Sequence, residues 1–99
     1  MSTPEQSFQT AMDESSDDEA REEAIHQLET ANECGMLADL ARSDDIAKQY
    51  RERALTGLAH PQCKSVLEDL TEGESLSDSL RERAESLLDE TPDNSGAGP

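Results

Sequence analysis

Aromatic side chains are almost missing from this chain of 99 residues: Phe8 and Tyr50 are the only two, and there is no tryptophan. Any core must be built from Leu, Ile, Ala and Met, and with hydrophobic residues at 32% it will be thin. Lysine is scarce as well, with Lys48 and Lys64 the only two among 8 cations set against 24 Asp and Glu. Phosphate binding rests on Lys and Arg clusters, so this shortage argues against direct nucleic-acid binding and against anionic lipid. No apolar run approaches the roughly 18 residues needed to span a membrane. Met1 to Glu14 carry neither a basic region nor an apolar block, so they do not read as a secretory signal. Cys34 and Cys63 form no Cys-x-x-Cys pattern, and the expectation is free thiols rather than a disulfide.

What the chain has in excess is negative charge, −16 in all. Such a charge repels itself and weakens the compact state at low ionic strength, whereas at 1 M salt the repulsion is screened over about 3 Å. The expected setting is therefore the cytoplasm of a salt-loving microbe such as a halophilic archaeon. A largely disordered acidic chain is the competing reading. Periodic apolar positions oppose it everywhere but at the ends.

The strongest pattern is a repeat. Arg21-Glu22-Glu23-Ala24, Arg51-Glu52-Arg53-Ala54 and Arg81-Glu82-Arg83-Ala84 recur every 30 residues, each followed by Leu28, Leu58 or Leu88. Within a unit the apolar residues take helical spacing twice. Met36, Leu37, Leu40 and Ala41 make one stripe, matched by Val66, Leu67 and Leu70. Ile46, Tyr50, Ala54 and Leu58 make another, matched by Leu76, Leu80, Ala84 and Leu88. The spacing predicts helices over 4–14, 17–30, 34–42, 44–59, 62–71 and 75–90, with Ser43-Asp44-Asp45 and Ser75 as capping side chains, Asn32 and Gly73 at helix ends and Pro61 at a first helical position. Residues 1–14 are expected to form an N-terminal capping helix, 15–90 a helical repeat domain, and 91–99 a disordered tail. The fold class is all-α, a short right-handed α-solenoid of about three stacked helix pairs, which is about the minimum for stability.

An acid-rich turn, an Arg six residues after Asp45, then Ala54 and Leu58, followed by a second Leu-x-x-Leu helix, resembles the HEAT-like repeats of the short phycobilisome-lyase type over roughly residues 15–90. The resemblance implies that Arg21, Arg51 and Arg81 are structural, packing against acids in the turns. Ser75 and Glu85 depart from that pattern and make the third unit the weaker match, as a solvent-facing terminal repeat would be. Members of the family range from scaffolds to bilin lyase subunits and iron-dependent hydroxylases, so the resemblance implies a binding surface rather than an activity.

No catalytic constellation is visible. The hydroxylase members hold iron with His-Glu pairs, whereas here Gln27 follows His26 and Pro61 follows His60. His26, Cys34, His60 and Cys63 are weak zinc candidates, with solvent-facing histidines and idle cysteines as the favoured reading and no cofactor expected. Glu22, Glu52 and Glu82 point away from the apolar face and would align into a carboxylate ladder, flanked by Ile25 and Leu55 as an apolar anchor or as contacts to the adjacent repeat. A solvated halophilic surface is the plainer explanation of that ladder.

These features lead to the expectation of a small non-enzymatic adapter that binds another protein presenting a basic or amphipathic helical surface. Alternatives are an acidic mimic of nucleic acid that inhibits a basic protein, and an accessory subunit of a lyase-like enzyme. A homodimer stays open, because a three-unit stack has two apolar ends unless Phe8 and Met12 cover one and Glu85, Asp89 and Glu90 solvate the other.

Overall fold

Helix starts and stops follow from a few polar side chains. A computed structural model describes residues 3–91, in which α1 spans Pro4–Met12, α2 Asp18–Thr30, α3 Cys34–Arg42, α4 Lys48–Gly57, α5 Lys64–Glu72 and α6 Asp78–Glu90, with a 3-10 turn over Pro61–Cys63 ahead of α5. No strand occurs among the described residues, and no helix among them is long and apolar enough to cross a membrane. Thr3 and Gln6 form a reciprocal capping box on α1: the Gln6 N–H donates to Thr3 Oγ1 at 3.1 Å and the Thr3 N–H to Gln6 Oε1 at 3.0 Å. Asp17 caps α2, accepting from the Ala20 N–H at 2.8 Å.

Asn32 ends α2. It has φ of 58°, the single positive value among the described non-glycine residues. The Glu33 N–H donates to the Leu28 carbonyl and the Asn32 N–H to the Glu29 carbonyl, both at 3.0 Å, which is the double closure of a Schellman turn. Gly73, also expected at a helix end, has ordinary φ of −84° and uses no glycine-specific conformation.

Two helix starts differ from expectation. Helices α4 and α6 begin at Lys48 and Asp78, not at 44 and 75, and their N-cap residues Ala47 and Ser77 make no side-chain cap hydrogen bond. Ser43 Oγ instead accepts from the Asp45 N–H within the turn. Ile46 and Leu76 are buried, but from the turns before their helices. A buried aliphatic in the turn anchors the chain on the core before the helix begins, and this shifts each start three or four residues along.

Helix α1 packs on α2, α3 on α4 and α5 on α6. Contacts also join α2 to α4, α4 to α6, α1 to α3 and α3 to α5. Position 30 residues apart by position, burial reports where a neighbour exists. Tyr50 and Leu80 are buried while Ala20 is exposed, and Ile25 and Leu55 are fully buried while Glu85 is exposed. At the α6 end Glu68 and Thr71 stand where Ala38 and Ala41 are buried. Phe8 and Met12 pack on the core at the other end. Thr91 is buried, its hydroxyl donating to the Leu87 carbonyl at 2.7 Å. Residues 92–99 of the expected tail lie outside the described residues.

The cysteines do not remain free thiols. Cys34 and Cys63 form a disulfide with Cα atoms 5.4 Å apart and a sequence separation of 29, tying the start of α3 to the start of α5. The repeat explains it, since residues about 30 apart fall side by side where α3 meets α5.

The left-handed Asn32 supplies a test of the α2 end. Asn32→Gly is expected to unfold in urea with a midpoint near that of the unchanged chain, whereas Asn32→Ile is expected to cost about 1–2 kcal/mol, the penalty of an L side chain forced into that region.

Candidate interaction surface

The expected structural arginines act on helix ends. The last carbonyls of an α-helix lack intrahelical donors, and Arg21 Nε donates to the Ala11 carbonyl at 3.0 Å. Arg51 Nε repeats the bond on Ala41 at 2.9 Å. In the third unit Thr71 occupies the corresponding position, and Arg81 reaches past it so that Nη2 meets the Gly73 carbonyl at 3.1 Å, leaving its buried Nε unpaired. Each cation thus sits at the negative end of the preceding helix. Among the described residues an acid in the turn forms a close ion pair only at the middle clamp, where Arg51 Nη1 lies 3.4 Å from the exposed Asp44, while Asp13 feels the Arg21 charge from farther off.

Arg21 makes a second contact. Its guanidinium lies 4.1 Å from the centroid of the Tyr50 ring on the next repeat unit. The Tyr50 hydroxyl in turn donates to Asp18 at the start of α2. That carboxylate acceptor, with burial adding to it, raises the Tyr50 pKa above its usual 10.0. Nearby, Arg53 Nη2 bridges from α4 to Glu29 of α2 at 3.1 Å, and the Glu29 carboxylate also lies 3.4 Å from His26 Nδ1. Ser7 on α1 is buried and donates to Gln27 Oε1 at 2.7 Å. None of these polar ties between elements had been assigned from spacing.

Glu22, Glu52 and Glu82 stand at equivalent places on α2, α4 and α6. Glu22 and Glu82 are exposed and Glu52 is half-buried. Ile25 and Leu55 do not flank this row as an accessible anchor. Both are fully buried, so they belong to the core and contribute to packing between neighbouring helices. The surface beside the ladder is polar and graded. On α2 it presents Glu19, Glu22 and Glu23, and on α4 and α6 the equivalents are Gln49, Glu52 and Arg53, then Ser79, Glu82 and Arg83.

The zinc set is dismantled by the disulfide, which consumes both thiolates. His26 faces solvent beside Glu29, and His60 lies between α4 and the 3-10 turn with a buried, unpaired Nε2. No group of three or more His, Cys, Asp or Glu able to hold a metal occurs among the described residues. An open polar depression on α1 is lined by Gln6, Gln9, Thr10 and Asp13. The Ser15 hydroxyl and N–H donate to Asp13 and hold its pKa below the usual 3.8.

No family model, curated protein or solved structure matches this chain.

Tyr50 is the single tyrosine, so its ionisation can be followed by ultraviolet absorbance without interference. In the folded chain it is expected to titrate above 10.0, and in denaturant at about 10. Because the folded value is the raised one, the stability it contributes is complete below pH 10 and declines as pH rises through the folded value. A folded-state titration at or below the denatured one would contradict the Tyr50–Asp18 bond.

Arg51→Met removes the donor to Ala41 while keeping the aliphatic stem, and is expected to cost about 1–3 kcal/mol in urea denaturation. Glu82→Gln on the exposed surface should stay within about 0.5 kcal/mol of the unchanged chain in the same salt.

Proposed function

We propose that the protein is a small non-enzymatic adapter in a high-salt cytoplasm, built as a short solenoid of three stacked helix pairs of the HEAT-like kind, and that it binds a protein presenting a basic or amphipathic helical surface. The observation that carries the reading is the alignment of Glu22, Glu52 and Glu82 on α2, α4 and α6, helices that touch in that order. Adjacent packed helices lie about 8–10 Å apart, so a row of carboxylates at that interval suits basic side chains spaced along one helix face of a partner.

Support for the stacked arrangement comes from the burial pattern. Apolar residues occupy the positions that meet a following unit in the first two repeats, and Glu68, Thr71 and Glu85 replace them in the third. A stack that ends in polar residues after three units has no apolar face at that end to extend it. The half-buried Phe8 and Met12 of α1 pack against the same core. Electrostatic attraction through the ladder would set partner choice and association rate more than affinity, and molar salt would screen all but close contacts.

Affinity purification from the native cells at native salt tests this, using the full chain and a variant carrying Glu22→Gln, Glu52→Gln and Glu82→Gln together. A specific partner that co-elutes with the unchanged protein and is lost with the triple variant is the expected result. Retention of the partner by the variant would reduce the ladder to a solvated face, and absence of any partner would sink the adapter reading. If DNA or RNA displaces the captured partner, the surface acts as a nucleic-acid mimic instead.

A further inference from the structure

We infer that the Cys34–Cys63 disulfide is a reversible redox latch that controls how tightly the third repeat unit, residues 61–90, is held to the second. Its two sulfurs differ in access: Cys34 is partly exposed at the first position of α3, whereas Cys63 is fully buried. Apart from this bond, the third unit meets the rest chiefly where α5 packs on α3 and α6 on α4, and continues from the connecting chain between α4 and the 3-10 turn. The disulfide lies at the first of those contacts. It is thus the one covalent cross-link at the boundary and has one sulfur within reach of solvent.

The step balances as an ordinary thiol–disulfide exchange. The thiolate of a protein or small-molecule dithiol attacks Cys34 Sγ. A bond forms between the dithiol sulfur and Cys34, the Cys34–Cys63 bond breaks, and its electron pair leaves on Cys63 Sγ. Cys63 is the N-cap residue of α5, so the departing thiolate forms at the positive end of that helix's dipole before it takes a proton. The second thiol of the reductant then displaces Cys34. Two electrons have passed to the chain and the dithiol has become a disulfide. Glutathione disulfide or an oxidised dithiol protein runs the sequence backward.

Placement also separates a latch from a simple staple. A disulfide buried on both sides is reduced when the domain unfolds, whereas attack on a half-exposed sulfur needs no global opening. Leu37 on α3 and Leu67 on α5 are both fully buried in the common core, in a chain with little apolar bulk to spare. The Arg21–Tyr50 contact and the Arg53–Glu29 bridge lie between the first and second units and are untouched by reduction. The inference does not depend on the adapter reading.

The test uses the full oxidised chain in molar salt without denaturant. Dithiothreitol is added, aliquots are quenched with iodoacetamide, and the labelled cysteines are mapped by mass spectrometry. Cys34 is expected to be alkylated at least tenfold faster than Cys63, at a rate proportional to dithiothreitol concentration. Hydrogen exchange of the reduced chain should quicken at least tenfold over 64–90 and stay unchanged over 18–30. Glutathione disulfide should restore the original pattern. Equal labelling of both cysteines at the rate of global unfolding would overturn the latch, as would exchange that rises uniformly or not at all. The variant Cys34→Ser with Cys63→Ser should reproduce the exchange of the reduced chain, and its failure to fold would also count against the inference, because the first two units must remain folded when the bond is open.

Discussion

The clamp from an arginine side chain onto the last turn of the preceding helix is the interaction that the arrangement of helices depends on. Short helices of nine to thirteen residues cannot hold their relative positions through apolar burial when the core has only one buried aromatic ring. A helix of that length in isolation is marginal in water, so what fixes it must come from its neighbours. Arg21 and Arg51 supply that fixation by satisfying the carbonyls of Ala11 and Ala41, with a cation placed where the helix dipole favours one. The cost of burying the Arg21 guanidinium is offset in part by the Nε bond and the Tyr50 ring, while its buried Nη2 has no hydrogen-bond partner. Arg21 is additionally covered by Tyr50, so the same side chain that joins α2 to α1 also joins the first unit to the second.

Much of this was legible in the sequence, for a definite reason. The Arg at 21, 51 and 81 recurs with the Ala and Leu that follow it, and a polar residue recurring among apolar ones at a fixed register has to serve the packing. The all-helical class followed from the same spacing. The acceptors did not, because a carbonyl leaves no trace in a side-chain pattern, and the resemblance to HEAT-like repeats directed attention to acids in the turns instead. Only Arg51 has such an acid within reach, and that acid is exposed. Helix starts at 44 and 75 were misplaced because Ile46 and Leu76 fit the helical period. A buried residue in a turn and one on a helix satisfy the same apolar spacing.

Ile25 and Leu55 show a related limit. On one helix they lie beside the main apolar stripe, and single-helix geometry cannot tell a face open to a partner from a face covered by the next unit. Comparison across repeats does tell them apart, since Ile, Leu and then Glu85 at equivalent positions is the signature of a contact that exists twice and ends. The disulfide could have been found in the same way. Cys34 and Cys63 are one residue short of the repeat period, and in a chain whose units lie side by side that near-match carries more weight than the missing Cys-x-x-Cys motif.

Charge and core size act on each other throughout. With so much negative charge, folding of this thin aliphatic core has to overcome a self-repulsion that salt weakens by screening. Several of the few cations are engaged with the chain itself: Arg21 and Arg51 are turned onto helix ends, Arg53 reaches across to Glu29, and the exposed Arg42 pairs with Asp39. This leaves α2 presenting the exposed carboxylates of Glu19, Glu22 and Glu23. Such a face gains from any external cation that approaches it. On the adapter reading proposed above, dissolved ions in molar salt would supply a diffuse form of that compensation, and a partner would compete with them by presenting several basic groups at the spacing of the helices themselves.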